Sequence, residues 1–299
     1  MVVRLKEDEG IAQAGSAVEQ LAKSAAVKAY VDACWPAVKP TDLVRAMLAD
    51  PPPGVLTEDE GDLLSRSPKG WTRADLPLLD EARHLVERQP GFAHVILDEA
   101  QDLSAMQLRV VGRRAVAGSL TVLGDQAQAT TPWAVGDWQQ VLGHLGKPDG
   151  RVQALTLGYR VPRDVLDLAN RLLPIIAPQL PPAASLRHVV GAVSHAATPA
   201  EAVDRLRGKG SVAIVVPQTS TVIDGVPDAV PLTDEGLAAP VTVVPAAEVK
   251  GLEFDHVVLV DPDALSLRVL YVAMTRAVTS LTIVGALPKE LDGTEMLPR

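Results

Sequence analysis

The sequence predicts an α/β protein with parallel sheets, preceded by a helical amino-terminal region. Three observations carry this. From Phe92 onward, short β-branched runs alternate with stretches at helical spacing, the texture of parallel strands joined by right-handed crossovers. The run His94-Val95-Ile96-Leu97 ends abruptly in Asp98-Glu99, as a buried parallel strand does when it delivers carboxylates to the edge of its sheet. Before Phe92 the chain offers only helix-like segments separated by proline-rich breaks.

Taken in order, Ser16 to Cys34 is alanine-rich, with Val18, Leu21, Ala25, Ala29 and Val31 near helical spacing, and Pro36 and Pro40 end it. Thr41-Asp42 caps a short helix through Leu48, and Pro51-Pro52-Pro53-Gly54 breaks the chain. Thr57 and Glu60 form a capping box. A further helix runs from about Arg73 to Arg88 and Gly91 closes it. The strand Phe92–Leu97 follows, then a helix over Ser104–Val116, a strand over Ser119–Leu123 and a helix over Asp137–Leu145. Val152–Leu157 reads as a strand and Pro162 to about Leu173 as a helix, with Pro162 in its first turn. Pro174 to Ala184 is a proline-rich surface connection. Strands are expected at Ser211–Val216, Val241–Val244, His256–Val260 and Ser280–Val284, with a helix over Leu267–Val278.

The chain has 299 residues, enough for two domains and a sizeable core. Aromatic residues make up only 3%, so Val, Leu, Ile and Ala must fill that core. A net charge of −9 argues against a wholly basic surface for duplex DNA, while leaving room for a local positive groove. Cys34 is the only cysteine, which excludes an intrachain disulfide and a cysteine-cluster metal site. No apolar run approaches the ~18 residues of a membrane span. Met1 to Glu9 lacks the apolar core of a signal peptide, so the expected compartment is the cytoplasm and no membrane partner is expected.

Five stretches carry chemistry, in a fixed order: Asp98-Glu99-Ala100-Gln101-Asp102, Gly124-Asp125-Gln126-Ala127-Gln128, Gly158-Tyr159-Arg160, Lys250-Gly251-Leu252-Glu253-Phe254-Asp255, and Leu270-Tyr271-Val272-Ala273-Met274-Thr275-Arg276-Ala277. Adjacent carboxylates after a strand suit a magnesium ion and an attacking water. Arginines suit a phosphoryl group whose charge must be matched across a closing cleft. That order and chemistry, over about residues 90 to 290, resemble the UvrD/Rep-like branch of the superfamily 1 helicases. Within the branch the chain resembles the actinobacterial HelD type, factors that bind RNA polymerase. The residues behind this are Cys34-Trp35-Pro36, Ala74 to Glu81, Asp98 to Arg109, and Ala129-Thr130-Thr131-Pro132-Trp133.

The resemblance implies RecA-like parallel sheets of the P-loop NTPase helicase type. Residues 1–90 would be a helical insertion or docking region, 91–155 part of a first RecA-like domain, and 156–299 the second. It implies ATP and Mg2+ as cofactors. Asp98 would bind the magnesium and Glu99 would position or activate water. Gln128 would sense the γ-phosphate, and Arg160 and Arg276 would reach it as arginine fingers. Tyr159 would stack on adenine, Glu253 would bond the ribose, and Gly251 would lie against the nucleotide. Trp133 would stack on single-stranded nucleic acid. The residues also admit plainer roles. Asp98 and Glu99 could cap the next helix, Tyr159 could edge the core, Arg160 could be a surface residue, and Glu253 could pair with Lys250 in a turn.

The sequence also departs from the family. No Gly-x-x-x-x-Gly-Lys-Ser/Thr occurs among its residues, so the β- and γ-phosphates lack their cradle. Gly146-Lys147 and Gly208-Lys209 have the wrong spacing. Thr131 and Ala134 stand where the family offers a tyrosine and an arginine to nucleic acid, and Pro245 and Ala247 where it has threonine and histidine. The link from Asp261 to Leu270 is also short for the family. The expectation is therefore the carboxy-terminal part of a HelD-like ATPase, inactive alone, that works on RNA polymerase rather than unwinding processively, with weakened binding of DNA or single strands. The alternatives are a degenerate helicase-like protein-binding module without ATPase activity and a fragment of a DNA repair helicase.

Overall fold

The computed structural model describes residues 20–52, 54–66, 69–87, 89–217, 223–233 and 238–292. The chain divides into two compact units, 1–91 and 92–299.

The first unit is helical. Its helices are α1 (Ala25–Cys34), α2 (Pro40–Ala49), α3 (Glu58–Leu64) and α4 (Leu76–Val86), the last preceded by a 3-10 turn at Arg73–Asp75. Ser24 caps α1 by accepting from the Val27 amide, and the expected start of this helix at residues 16–19 lies outside the described residues. Pro40 does not end a helix. It opens α2 from the first turn, where its missing N–H costs nothing, so the cap is Lys39 rather than Thr41 or Asp42. The Thr57–Glu60 capping box is present. A small core joins Val44, Leu48 and Ala82 to Trp71, Leu78 and Leu79. Asp75 is buried and held by Arg66 and by the amide and hydroxyl of Thr72. No residue of α1 is buried, and Trp35 is 83% exposed.

The second unit opens with β1 (Phe92–Leu97), α5 (Ala105–Arg114), β2 (Ala115–Val122) and α6 (Trp138–His144). β1 and β2 form a two-stranded parallel sheet in which Leu97 lies beside Val122. Ser104 and Gln107 close a capping box on α5, and Asp137 caps α6. α5 stops at Arg114 and β2 begins at once, so Ala115 and Val116 are strand rather than helix. Leu108, Val135, Val141 and Leu145 form the core of this part.

The expected strand at Val152–Leu157 is not formed. Only Leu157–Gly158 (β3) pairs, with Ala184–Ser185 (β4), while residues 151–156 have no ladder and Leu155 is 83% exposed. An apolar run becomes a strand only where a partner edge lies alongside it, and none does here. The helix expected to run from Pro162 to Leu173 is two helices, α7 (Arg163–Asn170) and α8 (Leu173–Ile176). Pro162 sits just before α7 rather than in its first turn, and Pro174 lies in the first turn of α8, where it bars a continuous helix. The proline-rich connection is consequently half structured, with Ile176 and Ala177 buried.

The largest sheet has six strands, all parallel: β5 (Val193–Ala196), β6 (Val212–Val216), β7 (Val230–Pro231), β8 (Val241–Pro245), β9 (Phe254–Val260) and β10 (Ala277–Val284), in the order β5-β10-β9-β6-β8-β7. All five residues of β6 are buried, because helices cover both faces of the sheet. Alternation sorts the side chains. Ala213, Val215, Val257 and Leu259 pack with Val165 and Leu270, while Val212, Ile214, Val216 and Val258 pack with Ala202, Val203 and Leu206. The last three belong to α9 (Pro199–Leu206) and the others to α7 and to α10 (Leu267–Met274). β5 and α9 were not expected from the sequence, although Thr198-Pro199-Ala200-Glu201 is a helix start: the Thr198 hydroxyl accepts from the Glu201 amide at 3.2 Å. α10 ends at Met274, four residues before the expected Val278. The Thr275 hydroxyl donates back to the Tyr271 and Val272 carbonyls, and Ala277 already pairs with Phe254 in β10.

Candidate functional site

Asp98 and Glu99 follow directly on β1, at the carboxyl edge of the two-stranded sheet. Glu99 adopts left-handed backbone angles (φ 52°, ψ 38°), an unfavourable conformation for a residue with a Cβ. The Glu99 amide donates to Asp98 Oδ1 at 2.8 Å. Gln101, fully buried, holds the turn from beneath: its Nε2 donates to Glu99 Oε2 at 2.6 Å and its Oε1 accepts from the Asp125 amide at 3.0 Å. This side chain ties the end of β1 to the loop after β2. Gly124 makes room for it, since a Cβ there would collide with Gln101 Oε1.

The loop after β2 is shaped by Asp125, which accepts from the Ala127 amide at 2.9 Å and from Gln128 Nε2 at 2.8 Å. Gln128 then presents its Oε1 to Arg276 Nη2 at 2.8 Å. Arg276 is only 4% exposed and is braced by the Val272 carbonyl and the Thr275 hydroxyl. A continuous chain therefore runs Asp125–Gln128–Arg276 from the loop after β2 to the end of α10. Burial, and then the Arg160 guanidinium, push the Arg276 pKa down, while Glu99, Glu253 and Asp125 oppose them. Burial and then Asp125 raise that of Tyr271.

Lys250, in the turn after β8, makes a second bridge. Its ammonium lies 2.6 Å from Asp102 Oδ2, donates to the Gln128 carbonyl at 2.6 Å, and stands 3.7 Å from Glu99 Oε2. The plain pairing of Lys250 with Glu253 is thereby corrected, because Glu253 is ion-paired with Arg160 instead. Reading the sequence placed Lys250 in a chemistry-bearing stretch but gave it no role in joining the acidic residues after β1. A lysine directly before the Gly251 turn (φ 78°) was the available signal.

The remaining expected residues lie around this centre. Tyr159 is 70% exposed. Trp133 is 56% exposed and its indole N–H donates to the Asp102 carbonyl at 2.9 Å. A cavity of about 1040 Å³ borders Asp98, Glu99, β2, residues 151–156 and Tyr271. Among the described residues no three His, Cys, Asp or Glu side chains converge to hold a metal ion. Asp98 could hold magnesium only with phosphate oxygens and water as the other ligands. Also among the described residues, no helix is long and apolar enough to cross a membrane.

Residues 240–284, which contain Lys250, Gly251, Glu253 and Arg276, match the family described as the UvrD-like helicase C-terminal domain. No curated protein sequence matches the chain. Similar solved structures include the C-terminal domain of "a possible DNA helicase" from Lactobacillus plantarum, 22% identical over 45% of this chain and 92% of that one, with a TM-score of 0.34. Arterivirus nonstructural protein 10, a helicase solved with DNA, is 19% identical over 66% of this chain and 41% of its own, with a TM-score of 0.38. The PRRSV helicase is 20% identical over 64% and 34%, with a TM-score of 0.40. The chain thus spans about a third to two fifths of the length of the two viral helicases. Residues 240–284 are thus similar to a UvrD-like helicase C-terminal domain, and they lie in a parallel α/β sheet consistent with a RecA-like fold.

Proposed function

We propose that this chain supplies the acid, sensor and arginine parts of a superfamily 1-type ATPase site in a HelD-like factor that remodels RNA polymerase–nucleic acid complexes. The observation that carries the reading is the Asp125–Gln128–Arg276 chain, which joins an acidic strand end to a buried arginine through a neutral amide. The Gln128 Nε2 that donates to Asp125 can donate to a phosphate oxygen instead, and the Arg276 guanidinium can likewise exchange the Gln128 Oε1 for one.

The described residues fit MgATP only in part. Asp98 and Glu99 suit the magnesium and water end, Arg276 and Arg160 the transferred phosphoryl group, and exposed Tyr159 the base. Nothing in the sequence supplies the backbone N–H cradle and lysine that hold the β- and γ-phosphates, so no hydrolytic step is assigned to the chain alone. A phosphate loop from outside these residues would complete the site. The HelD-like assignment and RNA polymerase as partner rest on the sequence stretches quoted above. The exposed apolar residues of the helical unit, Trp35 and Tyr30 among them, support docking on a protein.

The test is retention of RNA polymerase on the immobilised chain, with Trp35→Ser as control. Retention that this substitution weakens supports the reading, and no retention opposes it. A second reading, a protein-binding module without nucleotide chemistry, is favoured by the engagement of Arg160, Lys250 and Gln128 with one another's neighbours rather than with open space. It predicts partner binding indifferent to ATP and to Glu99→Gln.

A further inference from the structure

The cavity of about 1040 Å³ is a slot, bordered by the outer edge of β2 and by residues 151–156. β2 has β1 as its single neighbour. The Leu123 amide donates to the Leu97 carbonyl, and backbone groups alternate sides along a strand. Leu120 and Val122 therefore turn their N–H and C=O groups away from β1 and into the slot, which both residues line. Residues 151–156 carry the apolar texture of a strand, yet they form no ladder and all six are exposed. Two backbone edges without a ladder partner thus border one gap. Leu142, Leu145, Leu173 and Leu180 make its walls apolar. Its two ends differ in charge. The stretch of β2 that lines the slot begins at Gly118, where a Cβ would come within 3.0 Å of the Lys147 ammonium, and Arg151 also lines the slot. Asp98, Glu99 and Asp125 line it at the carboxyl ends of β1 and β2.

These features define the occupant's chemistry. A gap flanked by two strand edges is satisfied by one more strand, which bonds on both sides and lays alternate side chains against apolar walls. Every ladder among the described strands is parallel, so a strand added here continues the direction of β1 and β2. Its amino-terminal end then lies by Lys147 and Arg151 and its carboxyl-terminal end by Asp98 and Glu99. We propose that this slot takes one β-strand of about five or six residues from a separate polypeptide, with acidic residues before its apolar run and basic residues after it. Residues 152–156 gain in this way the partner edge that their sequence lacks. The inference goes beyond the ATPase reading and needs no nucleotide.

The test is fluorescence anisotropy on the full chain without ATP. The probe is a labelled, end-blocked peptide of two aspartates, five valines and two lysines, in that order. Saturable binding is expected, and bound peptide should slow amide hydrogen exchange at residues 152–156. A peptide with the lysines first should bind about tenfold more weakly, because each end then meets its own sign of charge. Joint Lys147→Glu and Arg151→Glu substitution should weaken the original peptide by a similar factor at an unchanged melting temperature. N-methylation of the central valines keeps the apolar side chains and removes the backbone donors, and should abolish binding. No binding would overturn the proposal, as would binding without protection at 152–156 or equal binding of the N-methylated peptide. So would a dimer of the chain that the peptide does not dissociate, because the slot would then hold a second copy. A failure of the ATPase reading leaves these outcomes unaltered, since none involves ATP.

Discussion

β1 and β9 end in the same way. Each parallel strand runs into an acidic residue with left-handed backbone, Glu99 (φ 52°) or Asp261 (φ 46°), and these are the two non-glycine residues of that kind among those described. Each then makes a 3-10 turn, Ala100–Asp102 or Pro262–Ala264, and a leucine-serine pair leads into the next helix, Ser104 before α5 and Ser266 before α10. Their surroundings differ. β9 lies between β6 and β10, and Val257, Val258 and Leu259 are fully buried. β1 has a single neighbour, and Phe92 and Ile96 are 63% and 70% exposed. The Glu99 carboxylate is held by Gln101 and faced by Lys250, whereas Asp261 has no such side-chain partners among the described residues. Strand-end geometry is thus a recurring device of the fold. What differs is the set of side chains gathered at one of its two copies.

Substitution in the strands themselves should separate the two regions most. Ile214→Ala, in fully buried β6, is expected to cost about 2–5 kcal/mol in urea unfolding, whereas Ile96→Ala in β1 should cost less than about 0.5 kcal/mol. Comparable losses would mean that the outer face of β1 is covered. Next in size is Lys250→Met, which strips Asp102 of its partner in a site where the lysine side chain is 18% exposed. A loss of about 1–3 kcal/mol is expected by thermal or chemical denaturation. Asp102→Asn should recover part of this loss by removing the unpaired charge. An unchanged midpoint in Lys250→Met would show the bridge to be idle.

Glycine at the two left-handed positions makes the comparison finer. Asp261→Gly should stabilise by ~0.5–1 kcal/mol through relief of backbone strain. Glu99→Gly should gain less or lose, because buried Gln101 is left with an unmet Nε2. Equal gains would mean that Gln101 does not depend on Glu99. The smallest effect concerns acid. The Ser211 amide and hydroxyl, bonded to Asp255 at 2.9 Å each, hold its carboxyl below the usual range. A depressed folded-state pKa contributes stability that is present above the unfolded value of about 3.9 and is lost as pH falls below it. Asp255→Asn should therefore flatten the stability profile below about pH 4 while leaving its shape near neutrality unchanged. An identical acid limb in both proteins would contradict the assignment.

How far the sequence reveals this molecule depends on whether the signal is local or shared. The caps at Thr57 and Ser104 are legible because the cap and its partner lie within three residues. The runs at Val212–Val216 and Val241–Pro245 are legible because burial on both faces demands continuous apolar sequence. Val152–Leu157 has the same texture but no neighbouring edge, which no local pattern reveals. The acid, glutamine and arginine motifs are visible as spaced residue types. Lys250 reaching Asp102 across 148 positions is not, and neither is the slot beside β2, which depends on what fails to pack against it.

The central claim is that this chain holds the acid and arginine parts of an ATP site without the phosphate cradle. Steady-state ATP hydrolysis by the chain with magnesium, beside Glu99→Gln, tests it most directly. The account predicts no turnover above that of Glu99→Gln. Magnesium-dependent turnover that Glu99→Gln abolishes would contradict it, and would mean that these residues cradle the phosphates by themselves.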